Sequence, residues 1–183
     1  HAFGPTLGDA LELADRQGVE ELIRDQEKGR VGQMARVVQM PQLAGPDHLV
    51  REEFYNQVVA SAINLGKKFH LDEDHSRYVA RIALKLFDCL ESELGLDRHA
   101  RLLLEVSAIL HDVGSFIRPS DHHIHSQYIV AHSDIFGLNR DDINVVGNVV
   151  RYHRAEMPSA QHPGYASLQR TDRTMVLKLS AIL

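Results

Sequence analysis

Apolar residues recur at helical spacing along almost the whole of this 183-residue chain. The pattern is clearest in one segment, where the i, i+3, i+4, i+7 spacing is followed by Val79, Ile82, Ala83, Leu86, Phe87 and Leu90. The alternation of apolar and polar residues that is typical of strands is nearly absent. The sequence therefore predicts an all-α protein whose helices pack as a bundle.

Glycines, prolines and polar runs divide this pattern into separate helices. We predict helices over residues 49–69, 75–94, 97–114, 120–135, 143–152 and from about 171 to the end of the chain. The stretch 41–46 begins and ends with proline and contains Gly45, which indicates a linker. We therefore divide the chain into an N-terminal helical extension, residues 1–46, and a helical domain, residues 47–183.

Composition excludes several classes of protein. The 44% hydrophobic and 25% charged content is typical of a globular domain, and no run of about 18 apolar residues predicts a membrane span. The net charge is −5 and no basic tract occurs, so nucleic acid is not an expected partner. Cys89 is the only cysteine, which excludes a disulfide framework and favours a reducing, cytoplasmic location.

Histidine is the residue in excess, with seven of the 12 lying after residue 100. His75, His111 and His153 each continue the apolar face of a predicted helix, and the doublet of His111 and Asp112 directly follows the apolar run 108–110. Buried imidazoles and carboxylates need polar partners, and a divalent metal satisfies several of them at once. The pattern indicates a metal site, although each histidine alone also fits a hydrogen-bonded core residue.

Four ordered segments resemble the C-terminal helical domain of the exopolyphosphatase/pppGpp phosphohydrolase (Ppx/GppA) family, within the HD superfamily of metal-dependent phosphohydrolases. The segments are HSRYVARIALKLFD, LLLEVSAILHDVGSFI, HHIHSQYIVAHSDIFGL and VVRYHR. The closing TDRTMVLKLSAIL resembles the start of that domain's last helix. The resemblance implies an HD-domain-like helical bundle that continues past Leu183 to a further Asp ligand. Because the sequence begins with His1 and not with Met, we expect His1 to be a tag remnant or a cut within a longer chain.

The resemblance also implies a set of site residues. His75, His111 and Asp112 match the family's metal ligands, with Asp112 also at the catalytic position. His125 and His153 occupy places similar to those of two further histidines in two-metal relatives. The residues that we expect to bind phosphate oxygens are His122, His123, Arg151 and Arg154. For the two arginines a solvated helix end is an equal interpretation, and for the cluster 122–125, taken by itself, a solvated turn is the favoured one. The donor types suit Mn, Mg, Fe, Zn or Ni.

Three functions follow from the resemblance. The first is help in hydrolysing inorganic polyphosphate or guanosine polyphosphate, beside actin-like catalytic domains of the same protein. No glycine-rich phosphate loop of such domains occurs in this sequence. The second is a freestanding metal-dependent phosphohydrolase that acts on a nucleotide or phosphomonoester. The third is a non-catalytic module that binds polyphosphate or an alarmone, or that dimerises. The amphipathic N-terminal helices favour a homodimer.

Overall fold

A computed structural model describes residues 46–183, with side chains from Leu49 onward. These residues belong to the second of the two units into which the chain divides, residues 45–183. The predictions made for the N-terminal extension, and the dimer inferred from its helices, lie outside the described residues.

Every regular element in the described part is helical, which confirms the all-α prediction. The eight α-helices of this part are α1 (Pro46–Lys67), α2 (Glu73–Cys89), α3 (Glu91–Leu94), α4 (Arg98–Leu110), α5 (His122–Ala131), α6 (Arg140–Arg151), α7 (Pro163–Ala166) and α8 (Arg170–Ile182). A 3₁₀ turn, Val113–Phe116, lies between α4 and α5. Over residues 46–183, no helix is long and apolar enough to cross a membrane.

Helix α4 lies at the centre of the bundle, with nine of its 13 residues buried. It packs against α1, α2 and α6, while α6 also packs against α5 and α8. Full burial of a side chain such as Leu104 or Val146, both 0% exposed, contributes about 1.5–3 kcal/mol. Because α4 and α6 are both interior helices, the residues that follow their C-terminal ends are held close to neighbouring helices.

Short polar side chains determine where the helices around the site begin. Asp72 caps α2 by accepting a hydrogen bond from the backbone N–H of His75 at 3.0 Å. Asn139 forms a reciprocal capping box with Asp142 at the start of α6. Such caps contribute about 1 kcal/mol each. Asp121 precedes α5, but its φ is 58° and its side chain makes no capping hydrogen bond.

The predicted apolar stripe of α2 is offset from the buried one. The buried positions are Ser76, Ala80, Ala83 and Phe87, whereas Val79 and Leu86 are only partly buried. Small residues in this row let α2 lie against α4, which rotates the larger apolar side chains to the edge of the contact. His75 consequently lies beside the buried stripe rather than in it, with 49% of its side chain exposed.

Candidate metal centre

Four histidines and one aspartate from different helices meet at one end of the bundle. His111 and Asp112 directly follow the last residue of α4, and His153 lies two residues beyond α6. His122 is the first residue of α5, and His75 lies in the first turn of α2. We call these five residues the Asp112 cluster.

The carboxylate of Asp112 lies between two pairs of imidazoles. Its Oδ1 is 2.9 Å from Nε2 of His122 and 3.9 Å from Nε2 of His153. Its Oδ2 is 3.2 Å from Nε2 of His111 and 3.7 Å from Nε2 of His75. The cluster therefore consists of two three-residue groups that share Asp112, and within each group the donor atoms lie within 4.8 Å of one another.

Backbone carbonyls orient three of the four imidazoles. In each case Nδ1 lies within hydrogen-bond distance of the carbonyl oxygen three residues earlier. These pairs are His111 with Ala108 at 2.7 Å, His122 with Pro119 at 2.9 Å and His153 with Val150 at 2.7 Å. Because a carbonyl only accepts, Nδ1 carries the proton, and the Nε2 of each neutral ring then presents a lone pair.

Those lone pairs converge on groups that are themselves acceptors. Nε2 of His122 lies 3.3 Å from Nε2 of His153, and both face a carboxylate oxygen. Acceptors at such separations repel one another unless a proton or a metal ion lies between them. The orientation of the rings by carbonyls is the arrangement that fixes the tautomer of metal-binding histidines.

The surroundings of Asp112 and His153 favour the protonation states that a metal requires of these two residues. Protonated imidazoles stabilise the ionised carboxylate, so a hydrogen bond from protonated His111, together with the charges of the histidines when they are protonated, lowers the pKa of Asp112 to about 2, although burial opposes this shift. Burial is the main cause that lowers the pKa of His153 to about 4. At neutral pH the carboxylate is therefore ionised and His153 is neutral, as ligands must be.

The donor set fits a divalent metal. It combines a carboxylate with imidazole nitrogens and contains no thiolate, which suits Zn, Mn, Fe or Ni. Two donors that share one ion at about 2.1 Å lie up to about 4 Å apart. The separations between Asp112 and the four imidazoles, from 2.9 to 3.9 Å, lie within that limit.

The structure brings four of the five predicted metal ligands together, namely His75, His111, Asp112 and His153. It does not bring His125 to the carboxylate, and places His122 there instead. Residues three apart on a helix share a face, so helical periodicity alone does not distinguish His122 from His125. His125 lies about 4.5 Å further along the axis of α5. His122 follows Pro119 by three residues, and the carbonyl of Pro119 orients its ring. This spacing was the signal for His122 that the sequence contained.

Of the other predicted phosphate-binding residues, two lie near the cluster. His123 is buried, and its ring centroid is 6.1 Å from that of His122. Burial, and then the charge of Arg151, lowers the pKa of His123. Arg151 itself donates to Glu156 at 2.9 Å, whereas Arg154 is exposed. Their contacts with phosphate stay predictions.

A cavity of about 350 Å³ opens beside the cluster. His75 and Asp112 form part of its wall, together with Ser76 and Phe116. Helical periodicity did not single out Ser76 or Phe116, because the first is a small polar residue and the second lies in the turn between two helices.

Comparison with known proteins finds a family match over residues 59–183, described as Ppx/GppA phosphatase, domain III. The chain is 28% identical over 121 residues to the guanosine-5'-triphosphate,3'-diphosphate pyrophosphatase of Photobacterium profundum, which covers 66% of this chain and 24% of that protein. Proteins of the same name from Pseudoalteromonas atlantica and Vibrio campbellii are each 28% identical, over 63% and 72% of this chain and 24% and 26% of their own lengths. The chain thus spans about a quarter of the length of the curated relatives it matches.

Proposed function

This chain belongs to the Ppx/GppA phosphatase family, and we propose that its domain III contains an HD-type metal centre that takes part in hydrolysing phosphoanhydride bonds. The proposed substrate class is guanosine polyphosphate, as in the names of the relatives, or inorganic polyphosphate. The observation that carries the proposal is the convergence of four imidazole Nε2 atoms on the two oxygens of Asp112.

Each residue of the Asp112 cluster has a defined part in this proposal. His75 and His111 would hold a divalent cation on one side of Asp112, and His122 and His153 on the other. When bound, the cation would supply Lewis-acid polarisation of a phosphoryl oxygen. The carbonyls of Ala108, Pro119 and Val150 keep the imidazole lone pairs directed inward, so that little reorganisation is needed on binding.

Phosphate recognition would fall to His123 and Arg151, next to the cluster. The guanidinium of Arg151 is only 17% exposed and is paired with Glu156, which lies in the loop after α6. An entering phosphate would replace Glu156 as the anionic partner of Arg151, since a guanidinium binds both groups through the same pair of N–H donors. Arg154, which is exposed, would add a second positive charge at the mouth of the site.

We further propose that this domain acts together with the actin-like domains that the family resemblance implies, in the cytoplasm. Those domains would supply their own phosphate-binding loops, and domain III would extend the surface that contacts a long anionic substrate. A homodimer belongs to the same proposal.

The test begins with the metal content of the purified chain. The protein is stripped with EDTA and dialysed against Mn²⁺, Mg²⁺, Fe²⁺, Zn²⁺ or Ni²⁺, and the bound metal is measured beside the variants His111→Ala and His132→Ala. His132 is exposed and stacks on Tyr128, so it is a matched control. We expect the wild type and His132→Ala to retain metal and His111→Ala to lose it. Equal retention by all three proteins would refute the proposed centre.

Phosphate release then separates the possible roles. The same proteins are incubated with guanosine-5'-triphosphate,3'-diphosphate and with polyphosphate, with and without metal. Metal-dependent release by the chain alone indicates a freestanding phosphohydrolase. Release that requires the full-length protein, and that falls when His111 is substituted there, indicates a supporting role. If the domain binds metal but His111→Ala does not change phosphate release by the full-length protein, the hydrolytic proposal is contradicted. The domain would then be a non-catalytic binding module.

A further inference from the structure

The cavity beside the Asp112 cluster is lined partly by phenylalanine rings, whereas the cluster itself contains only histidines and an aspartate. One side of its wall contains His75 and Asp112, whereas the other contains Phe69 and His70, from the turn after α1, and Phe116. Its volume of about 350 Å³ lies within the usual range for small-molecule sites, about 300–1,000 Å³.

The aromatic side of this cavity is assembled around Phe116. The ring of Phe116 lies 5.7 Å from that of Phe69, edge to face, and 5.4 Å from the imidazole of His70. Phe116 is nevertheless 53% exposed, so the core does not use much of its apolar surface. An exposed ring supported by two others provides a flat surface on which a planar group can stack.

Ser76 provides an independent indication of a ligand at the same place. It is 1% exposed and lines the cavity, and its Oγ has no hydrogen-bond partner within the described part of the chain. A buried hydroxyl without a partner is a rare feature of native structures and costs stability. A polar edge of a molecule in the cavity would complete its hydrogen bonding.

We propose that this cavity binds the nucleobase of a nucleoside phosphate whose phosphate lies at the Asp112 cluster. The base stacks on Phe116, and a polar atom on its edge pairs with Ser76 Oγ. The phosphate end of this inference rests on the proposed metal centre, whereas the base end rests on the cavity alone. The inference narrows the substrate class to nucleotides.

The charge of the cavity argues against inorganic polyphosphate as its occupant. Its wall contains the carboxylates of Asp72 and Asp112, and none of the described residues that line it is Lys or Arg. Polyphosphate offers no apolar surface to place against Phe69 and Phe116, and it would meet carboxylates without compensating cations. A base is uncharged and planar, which fits both features.

The experiment compares two ligands that differ only in the base. Dissociation constants of GMP and ribose 5-phosphate are measured by calorimetry in saturating Mg²⁺. We expect wild type to bind GMP about tenfold more tightly, because base stacking on an aromatic side chain typically accounts for such a factor. Phe116→Ala should bring the two constants together. Phe136→Ala, which removes a ring that is also 53% exposed, should leave the ratio unchanged.

A second variant separates loss of the base contact from misfolding. Ser76→Ala removes the unpartnered hydroxyl, so we expect an unchanged or higher Tm together with weaker GMP binding and unchanged ribose 5-phosphate binding. Equal binding of both ligands by wild type, or a GMP preference that survives Phe116→Ala, would overturn the inference.

The outcome for the base is distinguishable from the outcome for the metal centre. GMP binding that persists in His111→Ala, and that Phe116→Ala abolishes, would retain the base cavity while refuting the placement of the phosphate at the metal centre. Binding of ribose 5-phosphate that depends on His111, with no preference for GMP, would retain the metal centre and refute the base cavity. Absence of binding of either ligand to any of these proteins would refute the inference, whereas the metal centre is decided separately by the metal retained in wild type and lost in His111→Ala.

Discussion

Nε2 of His122 lies 2.9 Å from Oδ1 of Asp112, which is the shortest of the four separations between imidazole and carboxylate in the cluster. The two residues lie at the ends of different helices, and the Pro119 carbonyl directs the ring toward the carboxylate. His122 is therefore placed as a ligand of the proposed metal rather than only as a contact for phosphate.

This placement predicts that His122 and His125 differ in their effect on metal affinity. Replacing His122 by alanine removes one donor from the group that contains His153, so we expect the affinity for Mn²⁺ or Zn²⁺ to fall at least tenfold. His125→Ala, on the same helix, should bind metal like wild type. Calorimetric titration of the EDTA-treated proteins measures both, and equal losses would restore His125 as a ligand.

Asp112→Asn should separate the role of the carboxylate as a metal ligand from its effect on the stability of the metal-free protein. An amide nitrogen can donate to an imidazole lone pair, whereas the carboxylate can only accept. At pH 8 in EDTA we therefore expect the variant to be as stable as wild type or more stable, by about 1 kcal/mol. Its Tm should no longer rise on adding metal, while that of wild type does.

Thermal unfolding of both proteins, with and without Mn²⁺, is the measurement for Asp112→Asn. A metal-dependent rise in the Tm of the variant would show that Asp112 is not the shared ligand. A large loss of stability in EDTA would show that the carboxylate is paired with protonated imidazoles even at pH 8.

The low pKa of His153 predicts that the metal-free protein loses stability in mild acid. Its pKa falls from 6.5 to about 4 on folding, so the unfolded chain binds more protons between those two values. The contribution of neutral His153 is thus complete above pH 6.5 and declines as the pH falls toward 4, by up to about 3 kcal/mol. Asp112 adds nothing in this interval, because its pKa shift acts between 3.8 and about 2.

Urea unfolding in EDTA at pH 7.5 and pH 5 tests this pH dependence. His153→Gln should reduce the difference in unfolding free energy between the two pH values, whereas His132→Gln, at an exposed position, should leave it unchanged. A pH dependence that is the same in all three proteins would assign it to other groups.

Gly114 is predicted to tolerate no side chain. A Cβ at this position would lie 2.2 Å from the carbonyl oxygen of His122 and 2.3 Å from the backbone nitrogen of Ser126. Gly114→Ala must therefore displace the start of α5, and His122 with it, at a cost of about 2–4 kcal/mol together with weaker metal binding. The same residue donates its backbone N–H to Ser126 Oγ at 2.7 Å, a buried hydrogen bond that the displacement would also disturb.

Gly147→Ala is the matched control for Gly114→Ala. Gly147 lies inside α6, and the nearest atom to an added Cβ is 3.8 Å away. Alanine there should raise the unfolding free energy by about 0.5–1 kcal/mol through its better helix propensity. Denaturant unfolding of the two variants compares them directly, and a tolerated Gly114→Ala would contradict the close approach of α5 to the 3₁₀ turn.

Local sequence determined most of the helical architecture. Helical spacing, capping residues and glycine or proline breaks act over a few neighbouring residues, so the all-α class and the approximate helix bounds over residues 46–183 were predictable. The doublet of His111 and Asp112 was predictable as a site for a similar reason, because a carboxylate two residues after a run as apolar as 108–110 needs a cationic partner.

Tertiary structure alone decided which helix ends meet. The rotation of α2 that exposes His75 depends on how closely Ala80 and Ala83 approach α4, which is a property of the packed pair. The choice of His122 over His125 depends on the depth at which α5 lies against the 3₁₀ turn. The cavity beside Phe116 likewise exists only where separate segments come together. Periodicity specifies the face of one helix, whereas a site with ligands from several helices needs their relative positions, which only packing in three dimensions supplies.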